Sequence, residues 1–104
     1  MSQTIASSVV ACEQLLNQPS AETAFGACVA LQRVVDGWRS TLRPDDPPRW
    51  FQFCCLLQEV AKRLAPGKED ETIGKLMGHW ATYGVDLGFP SNEEALAQAG
   101  IISA

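Results

Sequence analysis

Residues 50–64 read WFQFCCLLQEVAKRL, the densest apolar segment of the chain. An α-helix advances about 100° per residue, and at that step Trp50, Phe53, Cys54, Leu57, Val60, Ala61 and Leu64 form one stripe. Gln52, Glu59 and Arg63 fall opposite. The segment therefore reads as an amphipathic helix with a wide buried face. A strand does not fit, because the apolar residues lack a period of two and the run is too long. Asp46 is placed to cap the start, with Pro47 at the first helical position, where a missing N–H costs nothing. Pro66-Gly67 is placed to stop the helix.

Three apolar residues miss this stripe. Phe51 and Cys55, one turn apart, share a flank with Gln58 and Lys62, and Leu56 lies on the other side. A helix that buries one face has no use for them there. Either the helix is enclosed on several sides or a second chain covers part of it. Central helices are commonly apolar nearly all round, which favours enclosure.

Working outward, residues 3–17 read as a first helix with Ile5, Val9, Cys12 and Leu16 aligned and Leu15 at the edge. Thr4 or Ser2 is its cap, Asn17-Gln18-Pro19 its end, and Val10 points off the stripe. Ser20 caps a second helix running to about Ser40, with Glu22 in the first turn where the helix dipole favours an anion. Its stripe is Ala24, Ala27, Cys28, Leu31, Val34, Val35 and Trp38; Phe25 and Val29 miss it together. Residues 41–49, TLRPDDPPR, form a stiff, Pro-rich connection into the 50–64 helix.

Beyond Pro66-Gly67, Glu69 or Asp70 opens a fourth helix to about Tyr83, with Ile73, Leu76, Met77 and Trp80 inward. Gly74 and Gly78 sit one turn apart beside Ala81. Glycines weaken an exposed helix by about 1 kcal/mol each, so close packing of another backbone on this strip is expected, more readily within the chain than across a dimer axis. Gly84 stops the helix. Ser91-Asn92-Glu93-Glu94 matches a capping box and opens a short last helix, 92–99, before the apolar tail Ile101-Ile102. The expected fold is all-α, a single domain over 1–104 forming a small bundle of four to five helices.

Composition limits the function. Apolar residues make up 46% of the 104, too many for a disordered chain. The start, MSQTIASSVV, lacks a basic region and a long apolar run, so no signal peptide is expected, nor a membrane span, and a cytoplasmic location follows. The net charge of −4 opposes direct nucleic-acid binding, which needs cations against phosphate. All eight Lys and Arg fall between Arg33 and Lys75, which leaves room for a basic patch at Arg39, Arg43 and Arg49.

No chemical signature stands out. The four cysteines form no C-x-x-C pair, and Cys12, Cys28 and Cys54 lie on helix stripes, as buried thiols do. His79 is the only histidine and has no ligand-spaced partner. Carboxylate clusters at 45–46 and 69–71 are explained by helix starts. We expect no metal, no cofactor and no catalytic residue. The alternative is a small helical ligand-binding protein or enzyme using His79.

The surplus apolar residues point to binding. Val10, Phe25, Val29, Phe51, Cys55, Leu56, Ile101 and Ile102 all lie off the core stripes and are the expected partner-binding set. If they are contiguous, a homodimer is the simplest use. In size, helical content and acidic balance the chain resembles the quorum-sensing antiactivators that act on LuxR-type receptors. The resemblance covers general build, rests on no motif and transfers no residues. It implies a helical dimer that docks on a LuxR-type transcription factor, covers its dimerisation surface and keeps it off DNA.

Overall fold

The computed structural model describes residues 4–38 and 47–89, together with Glu94 and Ala97. These residues form four helices and no strand: α1 Ile5–Asn17, α2 Ala21–Trp38, α3 Arg49–Leu64 and α4 Glu69–Thr82. The chain is an all-α bundle, as the periodicity indicates.

The helix ends follow local chemistry. Thr4 is extended, and its hydroxyl accepts the Ser7 N–H at 3.2 Å, so Thr4 caps α1. Ser20 and Thr23 cap α2 reciprocally. The Thr23 N–H donates to Ser20 Oγ at 3.0 Å and the Ser20 N–H donates to Thr23 Oγ1 at 3.0 Å, a capping box in which Thr replaces the usual Glu. Helix α3 starts at Arg49, with Pro48 at the cap position, two residues later than the sequence reading; the expected cap Asp46 lies outside the described residues. Helix α4 closes in a Schellman motif. Gly84, at φ +68°, donates to the Ala81 carbonyl, and Val85 donates to the Trp80 carbonyl. That turn carries the chain back so that Val85 and Leu87 pack on the core.

The core gathers the inward faces of all four helices. Cys12 and Leu15 come from α1, Ala24, Ala27, Cys28, Leu31, Val34 and Val35 from α2, Phe53, Leu56, Leu57 and Val60 from α3, and Leu76 and Trp80 from α4. Phe53 and Trp80 pack with ring centroids 6.1 Å apart, and Phe89 meets Phe53 edge-on at 5.5 Å.

Three expectations are corrected here. The buried face of α1 is centred on Ser8, Cys12 and Leu15, while Ile5, Val9 and Leu16 are only half-buried. Ser8 is tolerated inside because its hydroxyl donates back to the Thr4 carbonyl. On α3, Leu56 is fully buried, at 0% exposure, and cannot contact a partner. It lies about 60° from Phe53 on the wheel, and α3 packs against all three other helices, so its buried arc is wider than one stripe. On α4, no backbone of the described residues packs on Gly74 or Gly78: both are exposed, and a Cβ on either would meet none of the described residues. The expected last helix at 92–99, the tail Ile101-Ile102, and Arg39 and Arg43 of the basic patch fall outside the described residues, Glu94 and Ala97 alone excepted.

Candidate docking surfaces

With Leu56 removed, five described residues of the expected partner-binding set remain at or near the surface. The fold divides them into two groups. Val10, Phe25 and Val29 come together in a groove of about 410 Å³ between α1 and α2, lined also by Ala11, Gln14, Gly26, Ala30 and Arg33. Phe25 is 65% exposed and Val10 58%, the two highest values among the exposed large apolar side chains.

Phe51 and Cys55 form the second group. They stand about 160° and 200° from Phe53 around α3, which is the side turned directly away from the core. Phe51 is 45% exposed, and Trp50 meets it edge-on at 5.9 Å. No residue of α3 lines the α1–α2 groove, so the two apolar faces are separate.

The cysteines are free thiols of graded burial, with Cys12 and Cys28 buried, Cys54 half-buried and Cys55 exposed. Burial pushes the Cys12 thiol up to about 12, helped by neighbouring Cys28. Burial also raises Cys28, against a hydrogen bond from Gln32, and it raises Cys54, whose neighbour Cys55 acts in the same sense. These directions keep the thiols protonated, the opposite of what a nucleophile or metal ligand needs.

His79 lines a recess with Glu13, Asn17, Leu64, Thr72 and Lys75, into which no cysteine projects. Among the described residues no group of three His, Cys, Asp or Glu side chains is arranged to hold a metal ion. A second recess, of about 200 Å³, is walled by Gln32, Arg49, Trp50, Phe53 and Leu87. Gln32 Nε2 donates to the Leu87 carbonyl at 3.4 Å, while its buried Oε1 accepts no hydrogen bond from the described residues. Arg49 is held by Asp36 through two bonds, at 2.9 and 3.2 Å, so the one described member of the expected basic patch is already neutralised. No described helix is long and apolar enough to cross a membrane.

No family model matches this chain, and neither a curated protein nor a solved structure does.

Proposed function

We propose that this chain is a small regulatory protein-interaction module that acts by covering a surface of another protein. The observation that carries the reading is the groove in which the exposed Val10 and Phe25 stand together with the half-buried Val29. Exposed apolar side chains scattered singly mean little, but a contiguous cluster on a small domain marks a docking site. Two separate faces, the α1–α2 groove and the outer side of α3, suit a protein that pairs with itself through one and with a target through the other.

The target that the general build favours is a LuxR-type transcription factor. The mechanism is competition between interfaces: the module occupies the surface on which two receptor domains would pair, and unpaired receptors bind DNA weakly because dimers read two half-sites at once. The module's own acidic charge keeps it off DNA. Nothing in this mechanism calls for a cofactor or a bond-making step.

The test mixes the purified chain with the ligand-binding domain of a LuxR-type receptor from the same host. The expected result is loss of receptor dimer and release of operator DNA, both abolished by Phe51→Asp. A receptor that stays dimeric and DNA-bound in excess module overturns the receptor assignment. The unpaired Gln32 Oε1 favours one other reading, a site for a small hydrogen-bond donor in the 200 Å³ recess.

A further inference from the structure

We propose that the outer ridge of α2 pairs antiparallel with the same ridge of a second copy, across a twofold axis between Gly26 and Val29. This deepens the reading of the chain as an interaction module and rests on it. The ridge is Glu22, Gly26, Val29 and Arg33, spaced four, three and four residues apart. That spacing places all four within about 60° on one side of a helix, opposite the buried Ala24, Leu31 and Val35. Glu22, Gly26 and Arg33 are exposed and Val29 is half-buried.

The order of residues along this ridge is self-complementary. Turned end for end, Glu22 faces the partner's Arg33, Gly26 faces the partner's Val29, and each relation is repeated by symmetry, as an isologous interface requires. Opposite charges therefore meet at both ends. At the middle, a branched side chain enters the space left by a glycine, where an added Cβ would meet none of the described residues of the same subunit. Gly26 then has a reason to stand inside a helix, where it lowers stability relative to Ala. Phe25, beside the ridge, covers the crossing.

The charges are available for this use. Neither Glu22 nor Arg33 forms an ion pair among the described residues, in contrast to Asp36–Arg49, Glu59–Arg63 and Glu71–Lys75. A parallel arrangement would bring Glu22 beside the partner's Glu22 and Arg33 beside the partner's Arg33, and like charges would oppose it. Direction and register thus follow from the same pair of charges.

Charge reversal tests the pairing. Sedimentation equilibrium of the full chain is expected to show reversible dimerisation. Glu22→Arg or Arg33→Glu alone should weaken it about tenfold, since each puts like charges at both ends of the interface. The double variant, with both charges exchanged, should restore wild-type affinity. Gly26→Leu, which fits the monomer's open space but fills the crossing, should abolish the dimer while circular dichroism stays unchanged. A monomeric wild type, or single reversals that change nothing, or a double variant no better than the singles, overturns the ridge pairing. Target binding through Phe51 is measured separately, so loss of the ridge pairing alone leaves the interaction-module reading standing.

Discussion

The Trp80 indole N–H donates to the Ala24 carbonyl at 2.9 Å, deep in the core, joining α4 to the first turn of α2. The same ring packs on Phe53 of α3. One side chain thereby locks three helices in a single relative placement, and Trp is tolerated at full burial because its one polar atom is satisfied. Trp80→Phe should cost about 1–2 kcal/mol in urea unfolding, from the lost hydrogen bond and the smaller ring. Trp80→Ala should cost about 3–5 kcal/mol. A Phe variant as stable as wild type would show that the bond contributes nothing.

Phe25 and Phe51 face outward, whereas Leu56 is sealed inside. Phe25→Asp and Phe51→Asp should each leave folding stability within about 0.5 kcal/mol, the range of ordinary surface changes. Leu56→Ala should cost about 2–5 kcal/mol. Thermal melts followed by circular dichroism separate these outcomes; unfolding by either Phe substitution would place that residue in the core instead.

Gly74 and Gly78 meet none of the other described residues where a Cβ would stand, on a helix whose backbone angles suit any residue. Gly74→Ala and Gly78→Ala should therefore stabilise the monomer by up to about 1 kcal/mol each, by helix propensity and by restricting the unfolded chain. Denaturant midpoints measure this directly. A loss of stability in either variant would mean that the strip is packed.

Cys12 sets an alkaline limit. Its thiol is raised from the ordinary 9.0 to about 12 by burial and by Cys28. The unfolded chain releases this proton near pH 9.0 and the folded chain does not, so the stability contribution is full below pH 9.0 and is lost as pH rises toward 12. The slope should approach about 1.4 kcal/mol per pH unit from this group within that window. Cys12→Ala should flatten it in pH-dependent urea unfolding; an unchanged slope would assign the loss to other groups.

Much of this was legible in the sequence, and the misses have identifiable causes. Helix caps use local hydrogen bonds, so Thr4, Ser20 and the Gly84 stop could be read from neighbouring residues alone. Phe25, Val10 and Phe51 were identifiable as outward because they stand far from every core stripe. Leu56 lies off the α3 stripe yet is buried, because a wheel describes one helix, while the width of a buried arc depends on how many others surround it. Ser8 hid in α1 because its hydroxyl is satisfied by its own backbone, which polarity alone does not reveal. Gly74 and Gly78 misled in another way. Their propensity penalty was real, but the described chain supplies no close packing to offset it. That the groove joins Val10 to Phe25 and Val29, and leaves Phe51 on a separate face, is a matter of tertiary arrangement and was beyond residue spacing.

On the proposed reading the outward apolar cluster on α1 and α2 meets another protein surface, and self-association tests that reading without knowledge of the target. Sedimentation equilibrium of the wild-type chain, from sub-micromolar to tens of micromolar, should give a mass that climbs from 11.3 kDa toward twice that value. Phe25→Asp should hold it at the lower mass with helicity intact. A wild-type chain that stays at 11.3 kDa at every concentration would contradict self-association through this cluster.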